Sequence, residues 1–124
     1  MLMAFNHKPY GRGDIIIMSN DPKPKNNNEQ KGLRPWLVVS RTLLNENGPF
    51  VWALPFTTSE RNYPLAFNWT EKIPSTETHG TLLCDQLTAL DVIHRWTKPI
   101  EHAEIPAEVD SLINHAIVAD KFGE

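Results

Sequence analysis

The sequence predicts a mainly β protein of the β+α kind, a small twisted barrel or half-barrel of short strands with one amphipathic helix packed on it. Three observations point there. Short β-branched and aromatic runs recur along the chain between clusters of turn residues. Ten prolines divide 124 residues into many short elements. The hydrophobic period turns helical only near the C-terminus.

Taken in order, residues 1–12 read as a flexible N-terminal arm, and "IIIM" at 15–18 as the first strand. The segment 19–33, "SNDPKPKNNNEQKGL", holds two prolines, four asparagines and almost no apolar residue, so it reads as an exposed loop. Loops of that length in a compact domain are uncommon and tend to serve function. "RPWLVVS" at 34–40 is the second strand; Pro35 lacks an N–H, which places it at a strand start or on an edge.

"NENG" at 45–48 makes a turn, and "PFVWALPF" at 49–56 a third strand ended by "TTSERNYP". "LAFNW" at 65–69 is a short strand, and "EKIPSTETHG" a polar connection. "TLLCDQL" at 81–87 reads as a buried strand closing on Asp85 and Gln86, and "HRWTKPI" at 94–100 as the last strand. From Pro106, Val109, Leu112, Ile113, Ala116 and Ile117 fall on one helical face. Pro106 suits the first helical position, and Glu108 and Asp110 suit the positive end of the helix dipole.

The length suits a single domain spanning 1–124, enough to bury roughly two-thirds of the unfolded chain's surface. A composition of 40% apolar and 22% charged residues excludes disordered and fibrous classes. One cysteine, Cys84, forms no internal disulfide. The N-terminus lacks a signal-peptide pattern and no apolar run nears the ~20 residues of a membrane span, so a cytoplasmic location without membrane contact is expected.

Net charge is −3, but it is polarised. Residues 1–47 carry seven Lys/Arg against four acids, and residues 48–124 five against eleven. A polarised chain offers a polyanion a locally positive surface.

The five histidines, His7, His79, His94, His102 and His115, show no helical i, i+4 ligand pair and no cysteine partner, so no metal site is expected. There is no Walker A or GxGxxG loop either. Cys84 lies among apolar neighbours and reads as a packed thiol. Three strand-end clusters remain: Arg34 with Glu29 and Gln30, the run Thr57, Thr58 and Ser59, and Asp85 with Gln86. Should adjacent strand ends converge, they set a guanidinium, hydroxyls and a carboxylate around one groove.

The order "GDIIIM", "EQKGLRPWLVVS", "ALPFTTS…YP", "GTLLCDQLTALD" and a C-terminal helix resembles the MazF/PemK family of type II toxin endoribonucleases. The resemblance covers residues 13–117. Its most specific parts are Glu29-Gln30-x-Gly32-x-Arg34-Pro35 and Cys84-Asp85-Gln86 with Leu90-Asp91.

It implies a small SH3-like, plasmid-maintenance-toxin β-barrel that forms a homodimer and cuts single-stranded RNA without a cofactor or metal. The ribose 2′-OH attacks its own phosphate, leaving a 2′,3′-cyclic phosphate or 3′-phosphate and a 5′-OH. The implied partner is a cognate acidic antitoxin, whose disordered tail the basic N-terminal half accommodates, with DNA met only through that antitoxin.

By the same resemblance the catalytic set is Arg34, Thr57, Asp85 and Glu29. Arg34 is a permanently charged bidentate donor for the phosphoryl oxygens. Thr57 donates a hydroxyl hydrogen bond. Asp85 or Glu29 takes the 2′-OH proton. The RNA-binding set is Lys23, Lys25, Gln30, Lys31, Thr58, Ser59, Arg61 and Gln86, with Tyr63 or Trp36 available to stack on a base, although Trp36 reads first as a core residue.

Two departures from the family pattern stand out. Leu83 occupies the place of the arginine proposed as acid in PemK-type members, with Thr88 in place of a basic residue, which shifts the acid role toward Arg34. Asn27-Asn28 replaces the pair usual before Glu-Gln. The alternatives are a non-enzymatic gyrase poison of the same fold, of the CcdB type, and a degenerate binding module.

Overall fold

The computed structural model describes residues 9–19, 33–59 and 61–118. Lys23, Lys25, Glu29, Gln30 and Lys31 lie outside them, as do residues 1–8 of the expected arm. Within the described part, the strands are β1 (Asp14–Ser19), β2 (Leu33–Val38), β3 (Phe50–Thr57), β4 (Ala66–Asn68), β5 (Thr81–Leu83), β6 (Thr88–Asp91) and β7 (Thr97–His102). Two single-turn helices, α1 (Thr42–Asn45) and α2 (Trp69–Lys72), punctuate them, and α3 (Ala107–Ile117) follows.

The strands form one antiparallel sheet in the order β4-β5-β3-β2-β1-β7, with β6 also paired to β3. The eight-residue β3 makes this possible: Phe50–Ala53 pairs with β6, while Phe56 and Thr57 pair with β5. Among the described residues backbone pairing does not close the sheet into a barrel, and β4, β6 and β7 each pair on one side only.

The Glu101 side chain ties the two ends together. From β7 it accepts hydrogen bonds from the Thr78 N–H at 2.7 Å, the Thr78 hydroxyl at 2.5 Å and the Glu77 N–H at 3.2 Å, all in the loop between α2 and β5. Burial pushes the Glu101 carboxyl up, but these bonds outweigh it and hold the group below its ordinary value. A carboxyl with a depressed folded-state pKa stabilises the fold above its unfolded pKa of about 4.5, and that contribution fades as pH falls through the folded value. Glu101→Gln is therefore expected to lower the melting temperature at pH 7 and to flatten its fall below about pH 4.5. Thermal melts from pH 3 to 7 check this, and parallel curves for the two proteins count against the clamp.

Alternation along the strands divides the apolar residues into two clusters on opposite faces. Ile15, Leu37, Leu54, Phe56, Phe67, Trp69, Leu82 and Cys84 form the first, against which Val109, Leu112 and Ile113 of α3 pack. Ile16, Met18, Trp36, Val38, Val51, Ala53 and Leu90 form the second with Tyr10. Arg12 and Lys72 pair with Asp110 and Glu108 in the first turn of α3 and hold that end of the helix down. Val109 is fully buried, whereas Ala116 and Ile117 of the predicted apolar face are exposed. Pro106 is the N-cap, one position before the first helical residue.

Several expectations need correction. Residues 9–12 are anchored rather than loose: Tyr10 is buried with its hydroxyl bonded to Thr97, and Arg12 donates to the Val39 carbonyl. Pro35 is the third residue of a central strand, although the ladder from β2 to β3 begins only at Trp36. The strand expected at 81–87 stops at Leu83, because Cys84 and Asp85 turn.

β6 went unpredicted, since "TALD" buries only Leu90. β7 starts at Thr97 rather than 94, because the Asp91 carboxylate accepts from the Ile93 and His94 N–H groups and sets a turn. Among the described residues no helix is long and apolar enough to cross a membrane.

Candidate functional site

Register decides which of the predicted side chains meet. β2 and β3 run antiparallel with Trp36 opposite Pro55, and extending that register by two residues sets Arg34 opposite Thr57. On the other side of β3, Thr57 pairs with Thr81, and Thr81 with Asn68 of β4. Paired residues share a face. Thr57, Thr81 and Asn68 therefore form a row across β3, β5 and β4, and Arg34 lies on the same face, two residues beyond the end of the β2–β3 ladder.

Each position has a structural cause. Arg34 is paired to Met18 of β1, so its backbone is fixed from the sheet interior while its side chain is only half-buried. Among the described residues the guanidinium makes no ion pair. Thr57 is 8% exposed and its Oγ1 accepts the Ser59 N–H at 3.2 Å. That bond uses the oxygen as acceptor and leaves the hydroxyl hydrogen free to donate. Thr58 and Ser59 follow, both exposed.

The β5 side of this end is built on close backbone contact. Gly80 has φ +128°, and a Cβ there would stand 2.6 Å from the Thr57 carbonyl oxygen. Only glycine allows the approach.

Asp85 does not join this row. It lies beyond the end of β5, in the turn at Cys84 and Asp85, and pairing from Thr81 to Leu82 runs away from Thr57. Asp85 is exposed and accepts a 2.6 Å hydrogen bond from the Tyr63 hydroxyl. Partial burial, reinforced by that bond and by the Asp85 charge, pushes the phenol of Tyr63 up to about 12. The charge of Arg61 acts on the same phenol in the opposite direction.

The predicted residues thus fall into two groups. Arg34, Thr57, Thr58 and Ser59 are at one end of a sheet face, and Asp85, Gln86, Tyr63 and Arg61 at the other. The expected convergence of all three clusters on one point is replaced by a strip joining two ends.

Other assignments are resolved by burial. Leu83 is 2% exposed, so the position of the family's arginine is occupied by packing. Trp36 is 7% exposed and belongs to the second cluster, not to a stacking surface. Cys84 is buried, and burial, followed by the charges of Asp85 and Glu108, pushes its thiol up to about 12. Such a thiol stays protonated and inert near neutrality. Among the described residues no group of three His, Cys, Asp or Glu side chains is placed to hold a metal ion.

Residues 11–118 match the profile of the PemK-like, MazF-like toxin of type II toxin-antitoxin system. No curated protein matches the chain significantly. Solved structures do. MazE-MazF (Form-III) from Deinococcus radiodurans superposes with a TM-score of 0.68 at 20% identity, covering 90% of this chain and 99% of that one. MazF (Form-I) from the same organism gives 0.65 at 24% identity, with 88% and 93% covered. An endoribonuclease in complex with its cognate antitoxin, from a mycobacterial species, gives 0.60 at 22% identity, with 89% and 93% covered. Similarity at this level of identity establishes a shared fold.

Proposed function

Because the chain belongs to the PemK-like, MazF-like toxins of type II toxin-antitoxin systems, we propose that it is a cytoplasmic endoribonuclease that cuts single-stranded RNA without a metal. The ribose 2′ oxygen attacks the adjacent phosphorus, the bond to the 5′ oxygen breaks, and a 2′,3′-cyclic phosphate and a 5′-OH result. The observation that carries this reading is that Arg34 and Thr57 lie on one sheet face at neighbouring strand ends, each two residues beyond the paired Trp36 and Pro55.

Negative charge grows on the phosphoryl oxygens during attack. A fixed guanidinium supplies bidentate hydrogen bonds to them, and a neighbouring hydroxyl supplies a third. Both groups stand on paired strands, so neither needs to reorganise as charge develops.

A scissile phosphate at Arg34 and Thr57 puts Asp85, Tyr63 and Arg61 on flanking nucleotides, where they read bases and hold backbone. Glu29 then becomes the favoured carboxylate for the 2′-OH proton, being close to Arg34 in sequence, and Asp85 the second choice. Lys23, Lys25, Gln30 and Lys31 belong to the same RNA-contacting segment. Homodimerisation and binding of an acidic antitoxin complete the proposal. Exposed Phe50, Trp52, Trp96 and Ile117 supply apolar area for such assembly.

Purified protein is expected to cut single-stranded RNA in excess EDTA, yielding fragments whose 5′ ends accept phosphate from a kinase without prior dephosphorylation. Intact RNA, or cleavage abolished by EDTA, overturns the reading.

A further inference from the structure

We infer that Asp85 reads a guanine beside the scissile phosphate, accepting from its N1–H and its exocyclic amino group, an assignment that rests on the ribonuclease reading above. The carboxylate stands at the end of the strand that leads away from Thr57. Thr81 pairs with Thr57, and β5 runs from there through Leu83 into the turn that carries Asp85. RNA with its scissile phosphate at Thr57 brings a neighbouring nucleotide to Asp85 by following β5.

The turn is held on both sides. The Cys84 N–H donates to the Leu65 carbonyl at 3.0 Å, and the Gln86 N–H to the Leu83 carbonyl at 3.2 Å. The side chains of Leu82 and Cys84 pack into the first cluster, whereas Asp85 and Gln86 are exposed. The backbone of Asp85 is thus anchored while its side chain meets solvent.

The side chain is oriented as well. Half-buried Tyr63 donates from its hydroxyl to Oδ1 of Asp85 at 2.6 Å. Its phenol, pushed up to about 12, keeps that proton near neutrality. A carboxylate has about four acceptor sites and no donor. Tyr63 uses one, and among the described residues no ion pair uses another. What remains is an oriented fork of two acceptor oxygens. Arg61, whose charge acts on the same phenol, supplies a cation beside it for the RNA backbone.

Such a fork selects a base by the order of groups on the Watson–Crick edge, which single-stranded RNA leaves open to a protein. Guanine presents two adjacent donors, N1–H and the amino group. Adenine and cytosine each set an acceptor next to the amino group, and uracil sets its one donor between two acceptors. Each of these three turns a lone pair toward a carboxylate oxygen.

The test maps cleavage of a random-sequence single-stranded RNA, then replaces the guanine found beside the cut with inosine, which lacks the amino group. Wild-type protein is expected to cut where guanine occupies one fixed position next to the scissile phosphate, and to lose roughly 10–100-fold in rate on the inosine RNA. Asp85→Ala removes both acceptors, so its rates on the two RNAs should be nearly equal. Tyr63→Phe frees the carboxylate without removing it and should show a guanine preference weaker than wild type. Thermal melts check that both variants are folded. A wild-type map without a fixed guanine, or an Asp85→Ala protein that keeps the wild-type ratio of the two rates or cuts neither RNA, overturns the assignment and leaves the ribonuclease reading intact. Failure of the wild-type protein to cut any RNA overturns both.

Discussion

Arg34→Ala is expected to slow RNA cleavage by roughly 10²–10³-fold, the usual consequence of removing one preorganised donor from a developing oxyanion. Arg34 is half-buried at the start of β2 and makes no ion pair among the described residues, so its charge is not committed to holding the fold. Its melting temperature should therefore change little while its rate collapses. Arg34→Lys separates charge from geometry: an ammonium keeps the charge but loses the bidentate fork, and only a small part of the rate should return. Single-turnover cleavage of a mapped RNA by the three proteins checks the order. Wild-type rates for Arg34→Ala remove the guanidinium from the chemistry.

The largest loss of stability is expected at Trp69. This side chain is fully buried, meets Phe56 edge-on with ring centres 5.4 Å apart, and donates from its indole N–H to the Thr76 hydroxyl at 2.8 Å. Truncation to alanine leaves a cavity and removes a donor, which costs about 3–5 kcal/mol. Against a typical total of about 5–15 kcal/mol, that is a large share. Trp96 is 62% exposed, and Trp96→Ala should stay within about 1 kcal/mol. Urea unfolding of both variants measures the contrast, and equal midpoints contradict the packing described for Trp69. Because the Trp69 indole also holds Thr76, in the loop that leads to Gly80 and its contact with Thr57, its loss should reduce cleavage even where the protein remains folded.

The central strands and the helix were legible in the sequence because each rests on a local pattern. "IIIM", "RPWLV" and "PFVWALPF" carry β-branched and aromatic side chains between turn residues, and Val109, Leu112 and Ile113 repeat at helical spacing. β6 was not legible, since its hold on the sheet is pairing with β3 rather than an apolar run of its own. The early end of β5 was hidden for the opposite reason. Apolar residues continue through Leu87, while the chain turns at Cys84 and Asp85.

The candidate site was half legible. Arg34 and Thr57 stand out in the sequence by residue type and strand-end position, and in the fold they share a face at the ends of neighbouring strands, just beyond the paired Trp36 and Pro55. The separation of Asp85 from them follows from Thr57 pairing with Thr81, a nonlocal fact with no signature in either segment.

One measurement bears most directly on 2′-OH attack. A single 2′-deoxy nucleotide is placed on the 5′ side of a mapped scissile phosphate, and the RNA is digested in EDTA beside the unmodified strand. Cleavage is expected to disappear at that phosphate and to continue at every other mapped site. Continued cleavage at the deoxy position would show that the 2′ oxygen is not the nucleophile and would contradict the mechanism.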